Sequence, residues 1–327
     1  MKKRSQCDTS KPQIMQIDAV ITWVDGKDEA HLQKMLPFIE DKSLVTNKNF
    51  RTRFDQVEEI RFTVQSILKY AAFIRNIYIV TDNQVPNFIK NKNQGAYENV
   101  FIVNHTTIFK EDADCLPVFN CRPIETKLYN IPGISEHFLY FNDDMFLCRE
   151  VKETDFFVDG KPVIRGKWLQ FNENIFYKRW FNSEKKKNRA GHKKAQEKSA
   201  KLVGFKKYYK FHHTPASLRK STFLNFFKEQ REVELLNVGH KFRNKEQYTP
   251  QGLANHIEIK NKTAVLKNDY QLIYFQNYKK PFAWLKYKLN TMTKRSNKLF
   301  LNMQSLDQCP KEKRSYLLNW LEKKFET

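Results

Sequence analysis

The sequence predicts an α/β fold built on a mostly parallel sheet, and three observations favour this class. Short apolar, β-branched runs alternate with helical patterns through the first half of the chain. Each apolar run stops at Asp, Asn or Gly. The chain has 327 residues with 40% hydrophobic content, which is too apolar for a disordered polycation despite the formal charge of +22. A chain of this length can bury about three-quarters of its unfolded surface.

The predicted elements follow one another in a regular order. Residues 17–24 form the first buried strand, and residues 57–71 place apolar side chains on one helical face. Residues 77–80 form the next strand and complete a β-α-β unit. Residues 100–103 and 138–141 supply two more strands, with a short helix between them. Strands that alternate with helices indicate a parallel sheet covered on both faces.

Polar residues follow each predicted strand and are the first candidates for function. Asp25, Asp82, Asn104 and Asp143 come directly after the four apolar runs, or within one or two residues of them. In open α/β sheets ligands bind outside the carboxyl ends of the strands, so these residues could share one rim. The alternative is that Asp and Asn simply begin turns there. Asp143 is followed by Asp144, and two adjacent carboxylates repel each other unless a cation or a donor is present.

The second half carries weaker patterns. We expect residues 14–165 to form an α/β core and residues 166–327 to form a mainly helical part that completes the site. Residues 185–201 predict a Lys-rich helix before Gly204. Two further clusters contain His213 and Arg243. A carboxylate pair suited to Mg²⁺, a His that exchanges protons and an Arg that matches phosphate geometry are the groups that phosphoryl transfer needs.

These residues resemble the Stealth proteins. That family comprises bacterial capsule sugar-phosphate transferases and the catalytic subunit of the lysosomal-enzyme N-acetylglucosamine-1-phosphotransferase. The family's first block resembles residues 17–26, and its second resembles an ordered series of segments between residues 59 and 146. The third block is similar in His213-x-Pro215 and His240-x-x-Arg243, although Gln247 stands where the family usually has an acid. The fourth block retains Asn302 and lacks the family's Cys and one acid.

The resemblance implies that residues 14–165 form a nucleotide-sugar-binding core with a GT-A-like or Rossmann-like sheet. It also implies a specific reaction. The enzyme would transfer a sugar 1-phosphate from a nucleotide-diphosphate sugar, UDP-linked hexose or N-acetylhexosamine, to a sugar hydroxyl. The product would be a phosphodiester of a capsule or other surface polysaccharide. Asp144, His213 and Arg243 are the implied catalytic residues. Asp143 and Asp144 would hold Mg²⁺ or Mn²⁺, and Asn302 is a third candidate ligand.

The implied donor-binding residues lie on the strand rim or beside it. They are Trp23, Val24, Asp25, Gly26, Arg61, Asp82, Asn83, Gln84 and Glu125. Three alternatives remain open. Trp23 could be an ordinary core residue, and Glu125 could be an acid favoured by the dipole at a helix N-terminus. His213 could deprotonate the acceptor hydroxyl or hydrogen-bond the phosphoryl group.

Charge and composition indicate partners and location. A surface with 58 Lys and Arg against 36 Asp and Glu would capture an anionic oligo- or polysaccharide acceptor with a salt-dependent affinity. We expect no specific nucleic acid partner, because most aromatic residues fall in apolar periodic runs. The scattered cysteines and the absence of a signal or spanning segment predict a cytoplasmic protein. A lipid-linked acceptor would bring it to the inner face of the membrane and to the capsule machinery.

Two other functions are compatible with parts of the sequence. A metal-dependent glycosyltransferase would also use an Asp pair at a strand end, but it would attack the anomeric carbon of the donor sugar. The blocks that contain His213 and Arg243 argue against it. A basic nucleic-acid-binding protein without catalysis is the second alternative, and it would expose aromatic residues among its Lys and Arg.

Overall fold

Four parallel strands and one antiparallel strand form the central sheet. Their order is β3 (Val100–Asn104), β2 (Ile74–Thr81), β1 (Ile17–Thr22), β4 (His137–Asn142) and β9 (Ala216–Arg219), and β9 is the antiparallel strand. The computed structural model describes residues 15–52, 54–90, 95–175, 191–295 and 297–326. Its strands are β1 Ile17–Thr22, β2 Ile74–Thr81, β3 Val100–Asn104, β4 His137–Asn142, β5 Met145–Leu147, β6 Phe157–Val158, β7 Lys161–Gln170, β8 Lys207–Phe211, β9 Ala216–Arg219, β10 Val265–Lys267, β11 Leu272–Phe275 and β12 Phe300–Met303. The predicted α/β class with a mostly parallel sheet is confirmed.

Helices cover the sheets and connect their strands. They are α1 Glu29–Met35, α2 Lys48–Arg51, α3 Glu59–Tyr70, α4 Asn87–Lys90, α5 His105–Phe109, α6 Cys121–Lys127, α7 His192–Leu202, α8 Lys220–Glu229, α9 Arg231–Val238, α10 Pro250–Lys260, α11 Phe282–Arg295 and α12 Lys311–Phe325. Short 3₁₀ turns occur at Leu36–Phe38, Lys42–Thr46, Lys110–Cys115, Leu128–Asn130, Glu153–Asp155, Asn172–Asn174 and Leu306–Gln308. None of the helices in the described ranges is both long and apolar enough to cross a bilayer.

The helix α3 shows how the apolar pattern of the sequence becomes packing. Ile60, Val64 and Ile67 recur at helical spacing, and all three are buried against the central sheet. Leu68, which the pattern placed on the same face, is 39% exposed because it lies at the edge of the buried stripe. The helix therefore covers one face of β1 and β2.

The second half contributes strands to all three sheets, which the sequence did not predict. The strand β9 pairs with β4, and β12 pairs antiparallel with β5. The strand β7 runs through residue 165, the predicted limit of the first part, and pairs with β8 and β10. Six of the helices named above also lie beyond residue 165. The helical content is thus accompanied by short strands that join the two halves.

The Lys-rich helix is observed from His192, and Gly204 follows it with a φ of 91°. This left-handed conformation suits glycine and ends the helix as predicted. Residues 185–190 of the predicted helix lie outside the described residues. The four cysteines in the described ranges are not joined by disulfides.

A buried histidine after β3 should make folding sensitive to acid. Burial lowers the pKa of His105 from 6.5 to about 4, although the nearby Asp82 opposes this shift. The unfolded chain therefore binds a proton between these two pKa values that the folded protein does not, so stability falls as pH falls through this window. We expect this group to cost about 2 kcal/mol between neutral pH and about pH 5.

The measurement compares urea unfolding of the wild type and of His105→Gln at both pH values. Subtracting the two series removes contributions from other titrating groups, such as buried carboxyls. The wild type should lose more stability on acidification than the variant. An identical pH dependence in both proteins would contradict this assignment.

Candidate active site

The carboxyl ends of β1, β2 and β4 meet at one edge of the central sheet. Thr22 at the end of β1 is in register with Val80 of β2 and with Asn142 of β4. The chain runs from β1 outward through β2 to β3 and then returns to place β4 on the other side of β1. A crevice opens where the strand order reverses in this way, and ligands bind there in open α/β sheets. The predicted rim is therefore present in the structure.

A cavity of about 230 Å³ opens at the ends of β1 and β2, and we call it the rim pocket. Five of the predicted donor-binding residues line it: Trp23, Asp25, Arg61, Asn83 and Gln84. The pocket also contains carboxylates of Asp28 and Glu58 and the ammonium group of Lys90. Its polar groups could bind the sugar, ribose or phosphate parts of a nucleotide sugar.

Gln84 orders the loop after β1. Its side chain is 5% exposed, and its Nε2 donates to the Asp25 carbonyl oxygen and to Asp28 Oδ2, each at 3.0 Å. The amide of Asp25 in turn donates to Gln84 Oε1 at 2.9 Å. Gly26 allows the loop to pass close to Phe54, since a Cβ at position 26 would lie 2.6 Å from the Phe54 carbonyl oxygen. Gln84 thus positions the loop, and Gly26 is required by close packing.

Trp23 combines the two roles that the sequence left open. Its ring is buried in the core with residues of β1 and α3, and one side of it lines the rim pocket. The indole Nε1 is buried and has no hydrogen-bond partner among the described residues. An indole N–H in this situation is a donor for a ligand in the pocket.

Arg61 lines the rim pocket but is already paired. Its guanidinium forms an ion pair with Glu322 of α12, and a longer contact of 4.0 Å joins it to Glu58. A diphosphate in the pocket would compete with these carboxylates for the guanidinium. The pairing spans most of the chain and brings the last helix to the edge of the pocket.

The other predicted donor-binding residues lie apart from the rim pocket. Val24 packs beside Phe54 and Phe119 in an apolar cluster. Asp82 forms an ion pair with Lys34 at 3.0 Å. Neither residue is among those that line the pocket. The predicted grouping of these side chains around one donor is therefore only partly reproduced.

Asp143 and Asp144 follow β4 and lie near a third acid, Glu59. Burial, followed by the charges of Asp144 and Glu59, raises the pKa of Asp143 well above its usual range. Burial also raises the pKa of Asp144, while His213 and Asn302 act in the opposite direction. Burial raises the pKa of Glu59 to about 7. The repulsion among these carboxyls would be relieved by a bound cation.

Asp144 is held in place from β12. Asn302 Nδ2 donates to Asp144 Oδ1 at 2.9 Å, and the Met303 amide donates to the Asp144 carbonyl oxygen at 3.1 Å. The remaining amide oxygen of Asn302 is buried without a hydrogen-bond partner in the described part of the chain. Amide and carboxylate oxygens are the ligands that hard divalent cations prefer.

A Mg²⁺ or Mn²⁺ ion fits these residues. Within the described ranges, no three His, Cys, Asp or Glu side chains are arranged to hold a metal. Mg²⁺ commonly needs only one or two carboxylates, because waters and substrate phosphates complete its coordination. Asp143, Asp144 and the unpartnered oxygen of Asn302 supply such a set.

His213 approaches Asp144 from the second half of the chain, Arg243 lies near Glu125, and we call the space between these residues the catalytic cleft. The charge of His213 acts on Asp144, and both His213 and Arg243 act on His192. The ring centroid of His213 lies 5.7 Å from that of Tyr274 and 6.3 Å from that of His192. The structure places His213 near Asp144, and His192 near both His213 and Arg243. A joint catalytic role of Asp144, His213 and Arg243 stays a prediction.

Glu125 belongs to the catalytic cleft rather than to the rim pocket. Tyr140 donates to Glu125 Oε1 at 2.8 Å, and the carboxylate lies near Arg243. Arg243 Nη2 also contacts Cys121 Sγ at 3.6 Å. Glu125 is the fifth residue of α6, beyond the first turn, so the proposed dipole role at a helix N-terminus is wrong. Its buried carboxylate orients groups on the rim instead.

His192 is a cleft residue that the sequence analysis missed. Its side chain is solvent-exposed, yet protein atoms surround it closely enough to lower its pKa to about 3 by burial and by the nearby cations. The groups that act on it include His213, Arg122 and Arg243. Its Nε2 lies 2.7 Å from the Gln196 amide nitrogen, which leaves the ring proton on Nδ1. The lone His before a Lys-rich helix has no motif that could have predicted this position.

Two conserved regions known from other proteins match this chain. Stealth protein conserved region 1 matches residues 15–43, and conserved region 2 matches residues 53–164. The chain carries Stealth conserved regions 1 and 2. The predicted resemblance is confirmed over these residues, which include the rim and the Asp143-Asp144 pair. His213, Arg243 and Asn302 lie beyond both matched regions.

Curated relatives share the same half of the chain. The exopolysaccharide phosphotransferase cps2G of Lactiplantibacillus plantarum is 43% identical over 45% of this chain and 41% of its own length. The capsular polysaccharide phosphotransferase fcs1 of Haemophilus influenzae is 39% identical over 43% and 37%, respectively. The capsular polysaccharide phosphotransferase WcwK of Streptococcus pneumoniae is 38% identical over 45% and 43%. The chain therefore spans about two-fifths of the length of these relatives.

Solved structures of glycosyltransferases are more distantly similar. The galactosyltransferase LgtC with donor and acceptor sugar analogues gives a TM-score of 0.46 at 11% identity, over 94% of this chain and 95% of that chain. Mouse xyloside xylosyltransferase 1 gives a TM-score of 0.44 at 9% identity, over 90% and 100%, respectively. No functional argument rests on these likenesses.

Proposed function

We propose that this protein transfers a sugar 1-phosphate from a nucleotide-diphosphate sugar to a hydroxyl of another sugar. The observation that supports the proposal is the position of Asp144 beside the reversal of strand order, with the charge of His213 acting on it and with Arg243 and His213 both acting on His192. The relatives named as capsular or exopolysaccharide phosphotransferases support the same reaction class. We infer a product that belongs to a capsule or another surface polysaccharide.

The reaction requires one bond to form and one to break at phosphorus. The acceptor oxygen attacks the phosphorus next to the donor sugar, and the bond from that phosphorus to the bridging oxygen of the nucleotide breaks. His213 takes the proton of the acceptor hydroxyl, and the departing group is a nucleoside monophosphate. Arg243 binds the phosphoryl oxygens as negative charge grows on them. A divalent cation bound by Asp143, Asp144 and Asn302 would supply charge neutralisation.

The rim pocket is the proposed site of the nucleotide. Trp23 offers an indole face and a donor, and Arg61 offers a guanidinium once Glu322 is displaced. Cys121 is not a nucleophile in this scheme, because burial raises the pKa of its thiol to about 11 and keeps it protonated. We therefore propose that the sugar 1-phosphate passes directly from donor to acceptor, without an intermediate on Cys121.

The proposed acceptor is an anionic oligo- or polysaccharide. A growing polymer linked by phosphodiesters is a polyanion, and the surplus of 58 Lys and Arg over 36 Asp and Glu would attract it. We propose a cytoplasmic enzyme that meets lipid-linked acceptor chains at the inner face of the membrane. The sugar and the nucleotide of the donor are questions for the assay.

The test incubates the purified protein with UDP-linked hexoses and N-acetylhexosamines, oligosaccharide acceptors and Mg²⁺ or Mn²⁺. Phosphorus NMR should detect a new phosphodiester together with UMP, and a chelator should abolish both. Release of UDP without UMP would show ordinary glycosyl transfer and contradict the proposal.

Replacing His192 should weaken binding of the acceptor. Its neutral imidazole lines the catalytic cleft beside His213, where it can hydrogen-bond a sugar hydroxyl. For His192→Ala we expect the acceptor KM to rise about tenfold, with a much smaller change in the donor KM, because one hydrogen bond is lost. Steady-state kinetics with each substrate varied in turn measures both constants. An equal rise in both KM values would contradict a role at the acceptor.

A further inference from the structure

One part of the second half is strongly and uniformly basic. Residues 270–306 contain no Asp or Glu and include seven cations, Lys279, Lys280, Lys286, Lys288, Lys294, Arg295 and Lys298. In the whole chain, 36 of the 327 residues are acidic, so an acid-free stretch of this length is unusual. The helix α11 lies at the centre of this stretch. Its surface would therefore attract an anionic partner, and this attraction would weaken as the salt concentration rises.

The helix α11 also exposes aromatic side chains. Leu285 and Leu289 face inward and are buried in the core beside β11 and β12. On the outer side, Trp284 is 39% exposed and Tyr287 is 69% exposed. Lys286 is also exposed on this helix, and its Nζ lies 4.3 Å from the centroid of the Phe282 ring. Exposed Trp and Tyr flanked by Lys are typical of helices that lie in the headgroup region of a membrane.

We propose that α11 docks this protein onto an anionic lipid membrane. Trp and Tyr carry an apolar ring and a polar group, so they are favoured where headgroups meet acyl chains. Lys279, Lys280 and Lys286 would neutralise anionic headgroups beside the inserted rings. A soluble polyanion would be attracted by the same charges, and dextran sulfate tests for it below.

The position of α11 would place the catalytic cleft near the lipid surface. The helix connects β11 to β12, which carries Asn302. Lys288 Nζ donates to the Tyr274 carbonyl oxygen at 2.6 Å, and the Tyr274 ring lies beside His213. Docking through α11 would therefore hold the cleft within reach of acceptors carried by lipid. The docking itself does not depend on the proposed reaction.

The first experiment measures sedimentation of the full chain with vesicles. We expect binding to equal parts of phosphatidylglycerol and phosphatidylcholine and little binding to phosphatidylcholine alone. The variant Trp284→Ala/Tyr287→Ala and the variant Lys279→Gln/Lys280→Gln/Lys286→Gln should each bind about tenfold more weakly or worse. The matched charge control Lys161→Gln/Lys228→Gln/Lys262→Gln removes three exposed Lys elsewhere and should bind within about twofold of the wild type.

The second experiment locates the contact. Brominated acyl chains should quench tryptophan fluorescence in the wild type, and Trp284→Phe should remove most of that quenching. Dextran sulfate serves as the soluble polyanion. The proposal is overturned if the anionic vesicles do not bind the protein, if the control lowers binding as much as the α11 variants, or if Trp284→Ala/Tyr287→Ala leaves vesicle binding intact. Tight dextran sulfate binding together with intact vesicle binding by that double variant would identify a polyanion site instead. Each outcome is independent of the phosphodiester assay.

Discussion

Asp144→Asn should lower kcat/KM by about 10²- to 10³-fold while leaving the protein folded. Asp144 is a proposed cation ligand. It lies where the strand order reverses, and the nearby charge of His213 favours its ionised form. Asparagine preserves the size of the side chain but removes the negative charge that a divalent cation needs. The phosphodiester assay over a range of Mg²⁺ concentrations measures the loss.

The stability of this variant should move in the opposite direction to its activity. Burial raises the pKa of Asp144, so its ionised form costs folding free energy near neutral pH when no cation is bound. The neutral amide removes that cost, and we expect an unchanged or higher Tm for Asp144→Asn in chelator. Mg²⁺ should raise the Tm of the wild type more than that of the variant.

A matched control is available nearby. Asp307 is also close to Glu59 but hydrogen-bonds Thr52 at 3.1 Å, and Asp307→Asn should change activity by less than about threefold. A parallel fall in Tm and activity for Asp144→Asn would indicate a structural role for Asp144. Equal losses of activity in both variants would argue against a specific ligand position.

Lys127→Met should destabilise the protein by about 3 kcal/mol or more. The Lys127 side chain is completely buried, forms an ion pair with Asp112 and contacts Glu234 Oε1 at 2.6 Å. Tyr129 donates to the same Glu234 oxygen at 2.7 Å. Methionine fills the space of the lysine stem but leaves two buried carboxylates without that ammonium group. Urea unfolding followed by circular dichroism gives the change in free energy of unfolding.

Arg231 provides the comparison for this prediction. It pairs with the same two acids, Asp112 and Glu234, but its side chain is partly exposed. Arg231→Met removes the same charge where water can replace it, so we expect a loss below about 1.5 kcal/mol. Adding Asp112→Asn to Lys127→Met should recover part of the stability. Equal losses for the two Met variants would contradict the importance of burial.

The first half of the fold could be predicted because its patterns are local and strong. The apolar runs of β1, β2 and β4 are long enough to identify strands, and the residues after them define the rim. The strands β9 and β12 have only four residues each, and their pairing depends on distant partners. Such short strands are selected by tertiary contacts rather than by their own periodicity.

The site could be predicted only at residues whose type suits the proposed reaction and which stand in a recognisable motif. Chemistry and the family resemblance predict roles for Asp144, His213 and Arg243, and the structure places His213 near Asp144 and both His213 and Arg243 near His192. The pairing of Arg61 with Glu322 could not be anticipated, because 261 positions separate them. His192 is a candidate only because of its surroundings, which no local sequence pattern predicts.

The pairing of β9 with β4 has a consequence for any attempt to isolate the conserved half of the chain. His137–Asn142 is hydrogen-bonded to β1 on one side and to Ala216–Arg219 on the other. A fragment that stopped at residue 165 would leave the row of amides and carbonyls along β4 bare, beside the apolar residues Phe138 and Tyr140. An exposed, hydrophobic edge strand of this kind pairs with strands of other chains. The part of the chain that carries the two conserved regions would therefore aggregate when it is expressed alone. In the full chain, β9 prevents this by covering the edge of β4.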